Sequence, residues 1–414
     1  MSPTTVSASA DADTVPHRPA KAALGEHAPT KPRSQSPNLA VEPADFGETF
    51  VVGADRVRLL RDGIAAHAAM LAAIEGAKQE VLLEIYWIGA DLVGRRFRDA
   101  LVERATAGIS VRVIYDAVGS FGVTRGFWAP LIQAGGQVRE FSPIAPWRHR
   151  FRLARIHLRD HRKNLVVDHE IGFAGGINLG DAWAPAEGSG WRDDAIEIRG
   201  SAARTIREVF FQVWTDLGGA SPAGLVVAAP TGARVHVLTN EIAGGPDRAL
   251  RRAYLWGIRH AHTSIMITSA YFLPGATFLF ALRRAARRGV RVRVLLPGRS
   301  DVWVVSLAMQ SIIGRLLQDG VGVFAYSGRI LHSKTAVFDE RFAMVGSHNL
   351  DVLSWKYNLE CNVVVDDDAF ARHVARSFEA DCSQAQQLSL AAWRSRPWAL
   401  RSAAWFFALF RNFL

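Results

Sequence analysis

Two stretches of the chain carry the same chemically capable side chains at the same intervals. The first, HRKNLVVDHEIGFAGGIN, holds His161, Lys163, Asp168, Gly175 and Asn178; the second, HSKTAVFDERFAMVGSHN, holds His332, Lys334, Asp339, Gly346 and Asn349. Successive members are two, five, seven and three positions apart in both, and the copies lie 171 residues apart. Five fixed residues at set intervals arise by chance in roughly one chain of this length in ten thousand, so two copies point to a functional motif. On an extended segment the two side chains of His-x-Lys project from one face, setting an imidazole beside an ammonium, a pair able to attack and hold a phosphate. Asp168 and Asp339 stand an odd number of residues from their histidines and tend to the other face, which gives them a supporting role. Gly175 and Gly346 permit a close turn, after which Asn178 and Asn349 present amides to the same pocket.

These residues need a scaffold, and the chain around them reads as an α/β layered sheet. Short apolar runs such as VLLEIYWI (Val81 to Ile88) and VRVIYDA (Val111 to Ala117) flank a helical stretch, GRRFRDALVERATAG (Gly94 to Gly108). The same phrase returns: Gly94, Phe97, Ala100, Leu101, Ala105, Gly108 and Val111-Arg112-Val113 reappear 181 positions later, from Gly275 to Val292-Arg293-Val294. A constant offset over nine positions indicates an internal duplication. The expected organisation is a disordered leader over 1–45, rich in Ala, Pro, Ser and Thr, then halves at 46–225 and 226–387 and a basic amphipathic tail at 388–414. In that tail, positions 398, 402, 405, 406, 409, 410 and 413 share a helical face that is apolar except for Ser402. Such a face suits either a bilayer headgroup region or docking on the domain.

Composition narrows the classes. With 414 residues, 49% hydrophobic and 21% charged, the chain has cores to bury and is neither disordered nor collagenous. Its formal charge of +10 favours phosphate-bearing partners, nucleic acid and anionic membrane alike. Cys361 and Cys382 are the only cysteines, too few for a disulfide framework, and both read as inert. No window reaches the roughly 18 consecutive apolar residues of a membrane span, and no apolar signal core opens the chain. His149, His157 and His169 near the first motif lack the Cys or carboxylate spacing of a metal site and read as surface or packing residues. Trp128, Trp147, Trp183 and Trp191 suit core packing at least as well as interfacial anchoring.

The paired motifs resemble those of the phospholipase D superfamily, and the likeness covers roughly residues 46–387. It implies two similar α/β/α halves facing each other across one active site. It also implies that one histidine attacks a phosphodiester phosphorus to form a phosphohistidine, while the other protonates the leaving alcohol and later deprotonates the acceptor. By order along the chain, His161 is the expected nucleophile and His332 the general acid and base. Lys163, Lys334, Asn178 and Asn349 would neutralise and hydrogen-bond the phosphate oxygens, with no metal or other cofactor required. Asp193 in WRDDAIEIRG, with Asp194 as rival, and Glu360 in NLECNVVV stand where the superfamily places an acidic residue that hydrogen-bonds a catalytic histidine.

Substrate class comes from the flanking phrases. LEIYWIGADLVG (Leu83 to Gly94), YDAVGS (Tyr115 to Ser120), SAYFLP (Ser269 to Pro274) and GSHNLDVLSWKYNLE (Gly346 to Glu360) are similar to bacterial cardiolipin synthases, above all the shorter members without N-terminal spans. Many longer synthases have Arg before the Ser where this chain has Leu353-Ser354, which leaves the second lipid open. The resemblance implies transphosphatidylation: a phosphatidyl group passes from phosphatidylglycerol to His161 and then to a second lipid. The alternatives are a phospholipase D-type hydrolase, a nuclease, or a lipid-binding scaffold. The expected partner is an anionic phospholipid membrane, met peripherally on its cytoplasmic face, with no nucleic acid and the oligomeric state open. The basic segment PWRHRFRLAR (Pro146 to Arg155) either grips headgroups or is a solvated face.

Overall fold

The structure is a computed structural model that describes residues 46–145, 151–152, 157–187, 190–222, 232–240 and 249–409. The leader, most of the basic segment Pro146 to Arg155, and the boundary at 225 and 226 fall outside them. The first half runs β1 (Thr49–Val52), β2 (Asp55–Arg61), α1 (Asp62–Glu75), β3 (Glu80–Ile85), α2 (Leu92–Thr106), β4 (Ser110–Asp116), α3 (Arg125–Gln133), β5 (Gln137–Phe141), β6 (Arg159–Asp160), β7 (Lys163–Val167), β8 (Ile171–Gly175), β9 (Asp194–Arg199) and α4 (Ser201–Asp216). The second runs β10 (Val235–Thr239), α5 (Ala249–His260), β11 (Ser264–Thr268), α6 (Ala276–Arg287), β12 (Arg291–Pro297), α7 (Trp303–Gln318), β13 (Gly322–Tyr326), β14 (Thr335–Phe338), β15 (Phe342–Gly346), α8 (Val352–Lys356), β16 (Asn358–Leu359), β17 (Cys361–Asp366) and α9 (Asp368–Cys382). Then follow β18 (Ala385–Gln387), α10 (Leu390–Arg394) and α11 (Trp398–Leu409).

The duplication is visible in the sheets. One has the order β1-β2-β9-β8-β7-β3-β4-β5, the other β10-β17-β15-β14-β11-β12-β13-β18. Seven consecutive strands correspond one to one, with β1 added at one edge of the first sheet and β18 at the opposite edge of the second. In each, three parallel strands (β3-β4-β5, β11-β12-β13) carry crossover helices, and the motif strands β7 and β14 run antiparallel to them. The central strands β3, β7, β11 and β14 are buried throughout, which is why apolar residues follow one another along them, as in Val81-Leu82-Leu83 and Leu165-Val166-Val167. Gly108 and Gly289 follow α2 and α6 with φ of +83° and +91°, the left-handed cap at which glycine has no Cβ penalty.

Burial divides into three layers. An outer core joins α1, α2 and α3 to the first sheet, and a second joins α5, α6 and α7 to the other. Between the sheets, α4 and α9 fill a shared core with the inner strand faces. Each half is thus an α/β/α sandwich, and the ends of the motif strands are brought together where the halves meet.

Candidate active site

Each histidine precedes its motif strand and is pinned by backbone from the opposite half. The His161 N–H donates to the Leu359 carbonyl at 2.9 Å, and the His332 N–H donates to the Arg192 carbonyl at 2.7 Å. The side chains cross over in the same sense. His161 Nδ1 lies 3.0 Å from both oxygens of Glu360, and His332 Nδ1 lies 2.6 Å from Asp193 Oδ2. Each carboxylate belongs to the half that does not carry its histidine. Asp194, the rival of Asp193, is spent elsewhere: it accepts from Ser333 Oγ at 2.6 Å and from Arg192 Nη1 at 2.8 Å.

Both imidazoles are buried. Burial above all, then the Lys163 and Lys334 ammoniums, pushes His161 well below its ordinary value; burial and Lys334 likewise lower His332, against an opposing pull from Asp193. Burial works to raise the Asp193 carboxyl, but Lys334, His332 and the bonds from His332 and Trp183 together hold it below the usual range. Glu360 goes the other way, raised by burial. The two pairs are therefore related by pseudosymmetry but differ electrostatically. Burial also brings Lys163 down to about 7 and Lys334 to about 8, leaving both sensitive to a bound anion. Lys334 Nζ sits 2.8 Å from His332 Nδ1, the nitrogen that also faces Asp193. One N–H cannot donate and accept at once, so with Nδ1–H given to the ionised Asp193, the lysine donates to the His332 carbonyl instead.

The remaining motif residues separate by position. Asp168 lies at the far end of β7 from His161, where it accepts from the backbone N–H groups of Lys78, Gln79 and Glu80 at 2.8, 2.7 and 3.0 Å. Asp339 does the same for His262, Thr263 and Ser264 at 2.8, 2.8 and 2.9 Å. Both anchor backbone turns at the end of the motif strand away from the histidines. Gly175 and Gly346 end β8 and β15 where the next strand approaches; a Cβ on Gly175 would stand 2.5 Å from the Ala195 Cα. Asn178 uses its side-chain oxygen to hold the Trp87 N–H at 3.1 Å, and Asn349 is buried with its oxygen unpartnered among the described residues.

Sequence reasoning named Trp183 and Trp191 only as packing or interfacial residues and did not place the aromatic wall that they form with Tyr86 and Tyr271. The Tyr86 ring packs edge-on against His161 at 4.7 Å, with the Lys163 ammonium 4.8 Å from the same ring. Trp183 and Trp191 lie 5.4 and 5.6 Å from His332, and Trp183 Nε1 donates to Asp193 Oδ2 at 2.9 Å. Tyr271, 6.3 Å from His332, donates its hydroxyl to Asp301 at 2.7 Å. Tyr86 and Tyr271 stand in the phrases LEIYWIG and SAYFLP just past the ends of β3 and β11, a register that signalled them. Trp183 had no such signal. Of the nearby histidines, His169 is partly exposed beside Glu80 and His157 packs on Tyr357, neither in the site. Cys361 is buried in the shared core, where burial pushes its thiol up to about 12.

Comparison with known proteins gives the chain its relatives. The chain is 33% identical over 365 residues to a cardiolipin synthase of a Geobacillus species, a match covering 86% of this chain and 72% of that one. It is 35% identical over 340 residues to cardiolipin synthase A of Pseudomonas aeruginosa, covering 81% and 68%. Among solved structures, phosphatidylserine synthase of Haemophilus influenzae superposes with a TM-score of 0.68 at 13% identity, covering 86% of this chain and 95% of that one. Polyphosphate kinase of Porphyromonas gingivalis reaches 0.56 at 13% identity, covering 86% and 53%. Those two likenesses speak to fold alone. The family model described as cardiolipin synthase, phospholipase D-like domain, matches residues 70–214 and 254–382, and the chain belongs to that family.

Proposed function

We propose that the protein is a cardiolipin synthase, a phosphatidyltransferase that joins two phosphatidylglycerol molecules with release of glycerol. The observation that carries the reading is the crossed pair of buried histidine–carboxylate contacts, His161 with Glu360 and His332 with Asp193, formed only where the halves meet. Each carboxylate accepts a hydrogen bond from Nδ1–H, so Nε2 is left as the reacting nitrogen. The curated relatives at 30–35% identity carry the same activity in their names, which supports the choice of substrate.

The reaction runs in two displacements. His161, kept neutral by burial and neighbouring ammoniums, attacks phosphorus through Nε2. The bond from phosphorus to the glycerol headgroup oxygen breaks, and that oxygen takes a proton from His332 Nε2. Burial and Lys334 favour neutral His332, but the incoming phosphodiester anion and the ionised Asp193 together favour uptake of a solvent proton, which gives the imidazolium needed for this step and regenerated by the second displacement. Lys163 and Lys334 hold the non-bridging oxygens, aided by Asn178 and Asn349. Glycerol departs, and a headgroup hydroxyl of the second lipid gives its proton to His332 and attacks phosphorus. The phosphorus–nitrogen bond breaks, its electron pair returns to His161, and the site is restored.

Among the described residues no helix is long and apolar enough to cross a membrane. The enzyme meets its lipids as a peripheral protein on the cytoplasmic leaflet, where phosphatidylglycerol supplies both donor and acceptor. The test is to incubate the protein with vesicles of labelled phosphatidylglycerol and separate the products, with His161→Ala and His332→Ala as controls. Cardiolipin and free glycerol from the wild type alone support the reading. Phosphatidic acid as the sole product makes it a hydrolase, and full turnover by either variant removes the two-histidine mechanism.

A further inference from the structure

The reaction does not use the tail. α10 and α11 fold back along α7, enclosing with it a groove of about 860 Å³ on the outer side of the second sheet. Its lining includes Arg315, Arg394, Arg396 and Arg401 and no acidic residue. Arg396 is occupied: it donates to Gln310 at 2.7 Å and lies over the Trp393 ring. Arg315, Arg394 and Arg401 are exposed and make no ion pair among the described residues. Burial and the neighbouring Arg401 cation push the Arg396 guanidinium below its ordinary value, as expected of a like-charge cluster without a counter-ion.

The aromatic residues complete the pattern. α11 buries Ala404 and sets Phe407 edge-on to Trp303 at 5.5 Å, so it is docked on α7 by one side only. Trp398 and Trp405, along the groove, and Phe406 beside them stay exposed at 78%, 66% and 51%. Contiguous exposed aromatics rimmed by arginine are rare on a surface that faces only water. Helix α11 runs antiparallel to α7, since Arg396 sits by Gln310 and Phe407 by Trp303. The surface therefore leads to the start of α7, where Val302 and Trp303 are also exposed. The preceding residue is Asp301, which holds Tyr271 beside His332. Along the chain, the exposed start of α7 thus adjoins a residue that holds Tyr271 near His332.

We propose that the α7–α10–α11 groove docks the protein on an anionic phospholipid leaflet, Arg315, Arg394 and Arg401 taking lipid phosphates and Trp398, Trp405 and Phe406 entering the headgroup boundary. Unpaired cations match anionic headgroups, and Trp and Phe on an Arg-bearing helix are the side chains that partition to that depth. The inference rests on the phosphatidyl-transfer reading only in choosing lipid as the occupant.

Binding is therefore measured in full-length protein carrying His161→Ala, so that the vesicles are not consumed. Sedimentation with phosphatidylcholine vesicles, with and without phosphatidylglycerol, is compared for the parent and for Arg315→Gln/Arg394→Gln/Arg401→Gln. Each cation near an anionic leaflet contributes roughly fivefold in partitioning, so the triple variant should bind phosphatidylglycerol vesicles about 100-fold more weakly. The matching Arg→Lys triple, which keeps the charge, should bind within a few-fold of the parent, which separates charge loss from misfolding. Quenching of tryptophan emission by brominated acyl chains should fall in Trp398→Phe/Trp405→Phe. Parent-like binding by the glutamine triple, or unchanged quenching in the tryptophan variant, overturns the docking surface. Wild type assayed on the same vesicles reports separately: binding without cardiolipin overturns the reaction and leaves the docking intact.

Discussion

Replacing Asp193 by Asn keeps the shape of a catalytic support while removing its logic. Asp193 Oδ2 accepts from His332 Nδ1 at 2.6 Å and from Trp183 Nε1 at 2.9 Å, while Oδ1 accepts from the Asp194 N–H at 2.9 Å. An asparagine has one oxygen for these two positions. With the oxygen toward Asp194, its amino group faces two donors, and His332 can answer only by accepting at Nδ1 and moving its proton to Nε2. That tautomer cannot take a proton from the acceptor hydroxyl. With the amide turned round, the amino group opposes the Asp194 N–H and His332 loses the negative charge that favours its imidazolium. Where an amide replaces the orienting carboxylate of a histidine, the loss is about 10⁴-fold, so a fall in kcat of roughly 10³- to 10⁴-fold is expected, or about 4 to 5.5 kcal/mol. Initial rates of cardiolipin formation from labelled phosphatidylglycerol measure it, with KM little changed. Rapid quench should find no phosphatidyl-His161, because His332 serves the step that forms it. A folded Asp193→Asn protein that keeps more than about a tenth of wild-type kcat would refute the reasoning.

Three further outcomes follow from the same contacts. Asp168→Ala and Asp339→Ala each orphan three backbone N–H groups, so unfolding free energy should fall by roughly 1 to 3 kcal/mol while the folded fraction keeps kcat within a few-fold. A kcat loss as large as that of His161→Ala would return them to the chemistry. His67 and His348 are buried and held at about 4, against about 6.5 in an unfolded chain. The unfolded state then binds more protons between those values, so this stability is complete above pH 6.5 and is lost as the pH falls toward 4. Denaturant midpoints should drop between pH 7 and pH 5, and a flat response contradicts the burial argument. Arg192 is buried with Asp381 at 2.8 Å and Asp194 at 2.8 Å, joining the halves. Arg192→Met should cost roughly 3 to 5 kcal/mol in thermal or denaturant unfolding, and a neutral result would show that the ion pairs across the halves do not hold them together.

The sequence exposed what is written locally. Spacing revealed both motifs, alternation and a constant offset revealed two α/β halves, and odd separation sent Asp168 and Asp339 away from their histidines. Their actual partners, the turns before β3 and β11, depend on strand pairing and had no local signature. The carboxylates were legible as types in a phrase but not as partners: Glu360 is 199 residues from His161, and Asp193 is 139 from His332. Trp183 was hidden for the same reason, since its value lies in reaching Asp193. The tail was readable as an amphipathic helix, and its docking on α7 covers only part of the marked face. Ala404 and Phe407 dock it, while positions 398, 405 and 406 of the marked face stay exposed.

The crossed contacts bear on why the duplication persists as one chain with one site. Neither half can orient its own histidine, because His161 relies on Glu360 and the Leu359 carbonyl while His332 relies on Asp193 and the Arg192 carbonyl. A half on its own would hold an unoriented imidazole beside a lysine and a carboxylate aimed at nothing. Once the halves meet, both histidines are fixed by the same event. The difference between the two carboxylates then breaks the symmetry. Asp193 is held ionised by Lys334, His332 and Trp183, whereas Glu360 is pushed up by burial. An imidazole facing the ionised carboxylate carries a proton more readily than one facing its raised counterpart. A stepwise transfer needs that difference, because one nitrogen must stay unprotonated to attack phosphorus while the other gives its proton to the leaving oxygen.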